Sequence, residues 1–198
     1  MAVPSKYIQS VVKAAKGRPK STDWYREKIR EFGTPKALDL IRDGKQATNP
    51  FFGRLNMFFY DPKLKKTLPY YDRFPLVFPF KRGFQRQRAI ESGSFLGLNL
   101  HYLDPRLRAR LMDGLYTIST DKKFDEDTRI RLSYNILNKA SKFRFFKPCV
   151  KRYLVNRVRS RFVKINADQW DTALFLPTER FRKKSKSAVY KLSRKMIS

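Results

Sequence analysis

The chain has 198 residues, and its 45 Lys and Arg outnumber its 17 Asp and Glu, so its formal net charge is +28. With 41% hydrophobic and 15% aromatic residues, the composition excludes a disordered basic tail and predicts a folded domain with its own core. A charge surplus of this size repels itself in a compact fold unless an anionic partner neutralises it. Nucleic acid is the commonest such polyanion, and an acidic protein surface or an anionic membrane would serve the same electrostatics.

The cysteine and histidine content limits the chemistry of the chain. Cys149 and His101 are the only residues of their types, which rules out an internal disulfide framework and a zinc ligand set. We expect Cys149 to be a small buried apolar residue, and we expect no metal and no cofactor. The start of the chain lacks the apolar stretch of a secretory signal, and no run reaches the length of a membrane span. We therefore expect a reducing, cytoplasm-like compartment and no membrane partner.

The charge is concentrated at the two ends of the chain. Residues 1–22 contain five cations and no acid, and residues 178–198 contain eight cations and one acid. Terminal arms of this kind are usually mobile when free and order on a polyanion or in an assembly. The alternative is a pair of solvated tails that only keep the protein soluble. We expect a basic N-terminal arm with short helices over 1–49, a core over 50–177, and a basic C-terminal tail.

Two short helices are predicted before the core. The first spans 23–32, and the second begins at Pro35 with Leu38 and Ile41 on its apolar side. The polar connection 43–50 follows and marks the boundary to the core.

From Gly53 onward the apolar period changes from about 3.6 to about 2. Two sets of residues alternate here, which predicts a half-buried strand over 53–60 with one set on each side. The apolar set is Leu55, Met57 and Phe59, and the other set is Arg54, Asn56 and Phe58.

The next predicted strands complete a small sheet. Three prolines within 68–80 favour an edge strand at best, because each proline removes a ladder donor. Residues 94–103 alternate again and are the predicted partner, and 81–93 form a basic connection. The predicted fold class is α+β, with an antiparallel sheet of two to four strands over about 53–103 packed against several α-helices.

Helices are predicted to return after the sheet. The first follows Asp104-Pro105, with Leu107 on its apolar stripe and Arg108 pointing elsewhere. A second spans 127–140, and a third runs from Pro148 to about Ser160. The inward stripe of the third comprises Val150, Leu154 and Val158. A short basic helix near the C-terminus has its stripe at Val189, Leu192 and Met196.

No set of residues has the spacing of an enzyme active site. A divalent-metal nuclease assembled from Asp61, Asp72, Glu91, Asp104 and His101 is the enzymatic alternative. Asp61 and Asp104 both precede proline at predicted boundaries, where Asp is expected as a cap or turn former. His101 is expected to be a packed or interface histidine rather than a ligand. We therefore predict a protein without catalytic activity.

Basic residues interleaved with aromatics, in 60–73 and again in 142–147, are the main functional signal. Cations bind phosphates and aromatic faces stack on unpaired bases, although the rings could equally form the core with the cations at its rim. Base-specific motifs are not recognisable, so backbone binding is expected. The predicted nucleic-acid-binding residues are Lys63, Lys65, Lys66, Arg73, Lys81, Arg82, Arg86, Arg88, Lys151, Arg152, Arg157, Arg159, Arg161, Arg180, Arg182, Lys183, Lys184 and Lys186.

Several segments of the chain resemble the DNA end protector proteins of large contractile-tailed phages and their marine relatives. These segments are 59–63, 68–77, 97–103, 146–154, 159–162 and 170–177. The resemblance covers roughly residues 50–182.

The resemblance implies a virion protein on the end of packaged double-stranded DNA, near the head–tail connection, that shields this end from host exonuclease after injection. The implied partners are DNA ends and other virion proteins of the neck, portal or tail. The implied locations are the virion and the host cytoplasm. The alternative is a structural assembly protein of the neck, tail or baseplate whose basic surface contacts acidic subunits.

Overall fold

A computed structural model describes residues 36–43, 45–82, 93–104, 144–166 and 169–198, and also Trp24, Glu27, Arg30, Glu31, Gly33, Leu107, Arg108 and Asn135. The predicted arm 1–22, Glu91, and most of the helices predicted after Asp104 and over 127–140 lie outside the described residues. So do Arg86 and Arg88.

The described elements comprise eight strands and three α-helices. The strands are β1 (Lys45–Ala47), β2 (Leu55–Met57), β3 (Tyr71–Asp72), β4 (Leu76–Arg82), β5 (Ser94–Asn99), β6 (Val150–Leu154), β7 (Phe162–Ile165) and β8 (Phe181–Arg182). The helices are α1 (Ala37–Asp43), α2 (Trp170–Phe175) and α3 (Lys186–Ile197), and 3₁₀ turns span Leu100–Tyr102, Arg144–Cys149 and Val155–Arg157. Six strands form an antiparallel sheet in the order β1-β7-β2-β4-β5-β6, and β3 pairs with β8 in a second, two-stranded sheet.

The predicted α+β class is confirmed, but the sheet is larger than predicted. The strand at 94–103 is confirmed as the partner of β4, although it ends at Asn99 and continues as a 3₁₀ turn. The helix predicted over 148–160 is wrong, because this segment is β6 followed by a 3₁₀ turn. Val150 pairs with Leu98 and Leu154 pairs with Ser94, so the edge of β5 determines its conformation. Tertiary pairing here overrides a local pattern that also fitted a helix.

A strand also lies in the segment predicted as a polar connection. β1 pairs with β7 through Lys45↔Lys164, Gln46↔Val163 and Ala47↔Phe162. It forms one edge of the large sheet. The strand was missed because a three-residue polar edge strand carries almost no periodicity.

The prediction that 68–80 is an edge strand at best is wrong, because β4 lies inside the sheet between β2 and β5. β2 pairs only with Leu76 and Val77 of β4, so Pro79 lies beyond that ladder. On the other side, the register with β5 shifts between Pro79 and Lys81, which is a bulge. A proline is tolerated at such a site because no ladder bond requires its missing N–H.

Both faces of the large sheet are covered, which corrects the half-buried strand predicted at 53–60. Leu55 and Met57 belong to the main core on one face, whereas Phe58 lies in a separate aromatic cluster with Tyr60. Phe58 is fully buried, not solvent-facing. Asn56 is also buried, and its side chain bonds the backbone of Phe51 at 2.9 Å in both directions. The second face is filled mainly by aromatic rings, together with Val77, Val155 and Val158.

The N-terminal helices are confirmed where they are described. Trp24, Glu27, Arg30 and Glu31 are helical. Gly33 has a φ of +76°, the left-handed conformation that commonly ends a helix.

The apolar stripe predicted for the second helix is corrected. Leu38 of α1 is 71% exposed and Leu40 is the buried residue.

The C-terminal helix is also confirmed, as α3. Ser185 caps it by accepting a hydrogen bond from the Ala188 N–H at 3.3 Å. Val189 is buried in the main core, but Met196 is 40% exposed and does not line the buried side. Within the part of the chain that the structure describes, no helix is long and apolar enough to cross a membrane.

Cys149 is buried, as predicted. Burial raises the pKa of its thiol to about 12.

Candidate nucleic-acid interface

Four short segments carry many of the predicted binding residues and lie side by side. The Asp61 N–H donates to the Arg157 carbonyl at 3.0 Å, and the Tyr60 N–H donates to the Arg73 carbonyl at 2.9 Å. The Arg73 N–H in turn donates to the Arg180 carbonyl at 2.9 Å. These bonds place the segments in the order 157–159, 59–61, 71–73 and 180–182, although the four are distant in sequence.

The two-stranded sheet presents three arginines on one side. Tyr71 lies opposite Arg182, and Asp72 lies opposite Phe181. Continuing this register by one residue places Arg73 beside Arg180, which agrees with the hydrogen bond from the Arg73 N–H to the Arg180 carbonyl. Side chains alternate along a strand, and Asp72 is buried. The other side of β3 and β8 therefore carries Tyr71, Arg73, Arg180 and Arg182, which we call the arginine face.

The arginine face carries three like charges on neighbouring backbone positions. Arg73, Arg180 and Arg182 are all exposed, and none forms an ion pair with a carboxylate of the described residues. Like charges directly opposite in a sheet are destabilising. An arrangement that costs stability in the free protein is favourable once an anion binds between the cations.

The loop 61–68 adds lysines beside this face. Lys183 has a φ of 68°, and its ammonium donates to the carbonyls of Lys66 at 2.7 Å and Leu68 at 2.8 Å. The loop is thus tied to the end of β8. Within it, the Lys65 ammonium lies 3.0 Å from the Asp61 carboxylate, and this hydrogen bond lowers the pKa of Asp61.

A buried polar network underlies the arginine face. One Asp72 carboxylate oxygen accepts hydrogen bonds from the Phe74 N–H at 3.1 Å and the Arg180 N–H at 3.0 Å. The other lies 2.7 Å from His101 Nδ1, and His101 Nε2 lies 3.0 Å from the Thr178 hydroxyl oxygen. His101 is fully buried. The prediction of a packed histidine is confirmed, although His101 lies on a 3₁₀ turn rather than on a strand.

The order Asp72, His101, Thr178 resembles that of a catalytic triad, but its burial points to a structural role. A triad nucleophile must contact its substrate. The Thr178 residue is only 1% exposed, and Asp72 is 4% exposed. The network holds Arg180 and the β3 backbone in place, because Asp72 bonds both segments.

The carboxylates considered for a nuclease site have separate structural partners. Asp104 caps the following helix by accepting from the Leu107 N–H at 3.1 Å, as predicted, and it lies 3.3 Å from Arg194. Asp61 pairs with Lys65. Among the residues that the structure describes, no group of three His, Cys, Asp or Glu side chains could hold a metal ion.

Arg108 is a structural residue that the sequence did not indicate. It was expected to point away from the apolar stripe, but it is 1% exposed. Its guanidinium donates to the carbonyls of Leu103 at 2.8 Å, Leu174 at 2.9 Å and His101 at 3.2 Å, and to the Tyr190 hydroxyl at 3.0 Å. No periodic pattern predicts this role, because the bonded groups come from three separate places in the fold: the Leu100–Tyr102 turn with Leu103 after it, α2 and α3.

Glu179, which directly precedes Arg180 in the chain, is also a buried charged residue. Its carboxylate accepts a hydrogen bond from the Tyr190 hydroxyl at 2.8 Å and lies 3.3 Å from Lys186 and 3.8 Å from Arg108. Burial by itself raises the pKa of this carboxyl, but Arg108, His101 and Lys186 outweigh it and lower the pKa to about 2. Lys186, predicted to bind nucleic acid, thus also stabilises the fold.

The remaining predicted nucleic-acid-binding residues that the structure describes lie outside the arginine face and its neighbouring segments. Lys81 and Arg152 both lie opposite Leu96 in the register across β4, β5 and β6, and Arg82 lies 5.1 Å from the Phe52 ring centroid. We call Lys81, Arg82 and Arg152 the distal group. Lys151 is half-buried with its ammonium 4.2 Å from the Tyr102 ring centroid, and burial lowers its pKa. Arg161 and Lys184 are exposed.

The chain was compared with known protein families, curated proteins and solved structures. The search of curated proteins and the search of solved structures found no match to the chain. A family model described as the phage T4 terminal DNA protecting protein matches residues 5–196. This match extends beyond the 50–182 covered by the resemblance and includes nearly all of both basic termini. The chain therefore belongs to the family of the phage T4 terminal DNA protecting protein.

Proposed function

We propose that this protein binds the end of packaged double-stranded phage DNA without sequence specificity and protects that end from exonuclease. It acts as a binding protein and not as an enzyme, in the virion near the head–tail connection and in the host cytoplasm after injection. The family description supports the protection of terminal DNA. The observation that carries the mode of binding is the arginine face.

The arginine face suits phosphate chemically. Each guanidinium offers donors in a planar fork that matches two phosphate oxygens. A phosphate bound between Arg73 and Arg180 neutralises the repulsion of this neighbouring pair. Because Asp72 accepts hydrogen bonds from the backbone N–H groups of Phe74 and Arg180, the backbone that carries these arginines is held in place before DNA binds.

Further cations extend the surface that we assign to DNA. The loop lysines Lys63, Lys65 and Lys66 lie beside the arginine face, as does Lys183, and Arg157 and Arg159 lie on the adjoining segment. We assign the distal group to a second stretch of the DNA backbone. Such contacts read no bases, which fits protection of any DNA end.

The test compares the protein with the triple variant Arg73→Ser, Arg180→Ser, Arg182→Ser. The matched control removes as many exposed cations outside the face, with Lys36→Ser, Lys191→Ser and Lys195→Ser. The affinity for linear duplex is measured against salt, and digestion of the same DNA by an exonuclease is followed. The unmodified protein should show a steep salt dependence and block digestion. The triple variant should no longer protect DNA, and its slope should become shallower by about 0.9 for each phosphate that it fails to neutralise.

Three results would contradict the proposal. They are a flat salt dependence, equal affinity for linear and closed circular duplex, and full exonuclease protection by the triple variant. Location of the protein in the virion away from DNA, in contact with acidic subunits, would favour the structural assembly role instead.

A further inference from the structure

We propose that Tyr71 recognises the DNA end as an end, by stacking its ring on the exposed face of the terminal base pair. This inference rests on the proposed function and adds the feature that separates an end from the interior of a duplex. Phosphates are present along the whole duplex, so cations alone do not make that distinction. The flat face of the last base pair is available only at an end.

Tyr71 differs from the other described tyrosines in its packing. Tyr70 lies 5.9 Å from the Tyr102 ring centroid and packs on the main core. Tyr60 and Tyr153 belong to the aromatic cluster on the second face of the sheet. Tyr71 is only half-buried, belongs to neither core cluster, and has no ring partner among the described residues.

The position of Tyr71 places its ring among cations. It lies opposite Arg182 in the register of β3 and β8, and Arg73 follows two residues later on the same side. Residues directly opposite in an antiparallel pair have Cβ atoms about 5 Å apart. A ring and an arginine at this spacing contact neighbouring parts of one ligand. The ring would stack on the terminal base while the longer arginine side chains reach the flanking phosphates.

The chemistry of stacking agrees with binding that ignores sequence. Every base has a π-face, so an aromatic ring accepts any base at the terminus. Hydrogen-bond readout in a groove would instead discriminate among base pairs. Tyr71 thus supplies end preference without sequence preference.

The experiment separates end preference from backbone affinity. Binding to linear duplex and to closed circular duplex of the same sequence is measured for the unmodified protein and for Tyr71→Ala, Tyr71→Leu and Tyr71→Phe. The control is Leu64→Ala, which removes a 62% exposed apolar side chain from the neighbouring loop. In parallel, the fluorescence of 2-aminopurine is recorded with the probe at the terminal position or in the interior of the duplex.

We expect Tyr71→Ala and Tyr71→Leu to lower the preference for linear over circular duplex by about tenfold, with an unchanged salt slope. Tyr71→Phe and Leu64→Ala should keep the preference. The protein and Tyr71→Phe should quench terminal 2-aminopurine, and Tyr71→Leu should not. Tyr71→Leu keeps apolar bulk without a flat ring, so it remains informative if Tyr71→Ala does not fold.

The outcomes distinguish this inference from the proposed function. If Tyr71→Leu keeps both end preference and quenching, stacking by Tyr71 is overturned while DNA end protection stands. If the arginine triple variant still binds and protects DNA, the proposed interface itself is overturned. If the unmodified protein binds circles as well as linear duplex, both fail.

Discussion

Arg108 is a buried cation whose guanidinium donates hydrogen bonds to several elements of the fold. Replacing it with Leu removes the donor for three backbone carbonyls and leaves Glu179 without one of its cations. We expect Arg108→Leu to lower the free energy of unfolding by about 3–5 kcal/mol, the usual cost of breaking a buried charged pair. Urea unfolding followed by circular dichroism measures this change. Arg108→Lys should not restore stability, because one ammonium does not reproduce the guanidinium fork.

The matched control for Arg108→Leu is Arg161→Leu. Arg161 is exposed and forms no ion pair among the described residues, so its replacement should change stability by less than about 0.5 kcal/mol. Equal stability of Arg108→Leu and Arg161→Leu would contradict the structural role of Arg108.

Glu179 makes the stability of the protein depend on pH. Its pKa falls from the ordinary value of 4.5 to about 2 in the folded protein. The unfolded state therefore takes up a proton first as the pH falls. The resulting stabilisation is fully present above about pH 4.5 and is lost between there and pH 2. It amounts to something on the order of 3 kcal/mol.

The variant Glu179→Gln tests this pH dependence. It should be less stable than the protein at pH 6, because Arg108 loses a carboxylate partner, but its stability should fall less between pH 5 and pH 3. Urea midpoints at several pH values provide the comparison. Parallel pH profiles for the two proteins would show that Glu179 is not the responsible group.

At the scale of elements, β4 and β5 approach so closely that one position requires glycine. A Cβ added to Gly97 would overlap Val77 Cγ1 and lie 3.2 Å from the Phe78 carbonyl oxygen. Gly97→Ala should therefore destabilise the protein by about 1–3 kcal/mol. Gly93→Ala is the control just before the same strand, because its added Cβ would meet nothing within 4 Å. Thermal unfolding of both variants tests the packing, and equal melting temperatures would contradict it.

Because β3 pairs with β8, we expect the loss of one arginine from the arginine face to raise the stability of the protein and to weaken DNA binding. Arg180→Thr removes one of two like charges held beside each other, which should raise the free energy of unfolding by roughly 0.2–1 kcal/mol at low salt. The same variant should bind linear DNA more weakly. Arg152→Thr on β6, opposite Leu96 rather than a cation, should not gain stability. A decrease in the stability of Arg180→Thr would argue against repulsion within the arginine face.

For the whole molecule, the net charge of +28 predicts that salt acts oppositely on folding and on DNA binding. Between about 10 mM and 150 mM salt the screening length falls from about 30 Å to about 8 Å, which weakens the self-repulsion of the folded chain. The melting temperature should therefore rise while the affinity for DNA falls. Differential scanning fluorimetry and DNA binding over one salt series test this. A melting temperature that falls with salt would contradict it.

Part of the fold was predictable because its pattern is local. β5 alternates clearly, the spacing of Val189 and Leu192 indicates α3, and Asp104 before proline indicates a helix start. β1 and β6 were missed because their conformation depends on β7 and β5, which pair with them from far along the chain. Pro79 led to the wrong prediction of an edge strand. β2 pairs only with Leu76 and Val77 of β4, so no hydrogen bond to β2 is needed at position 79, and the sequence does not reveal how far β2 extends.

Composition and local periodicity are enough to predict that the protein is a folded, strongly basic α+β domain. The sequence also indicated the family and the basic residues that are candidates for phosphate contact. Which cations lie next to one another depends instead on long-range contacts in the folded chain. Asp72 and Arg180 are 108 positions apart, yet the Arg180 N–H donates to the Asp72 carboxylate. The register of β3 with β8 sets Tyr71 opposite Arg182, and a backbone hydrogen bond places Arg73 beside Arg180. Such a register results from long-range hydrogen bonds and burial, which no local pattern records.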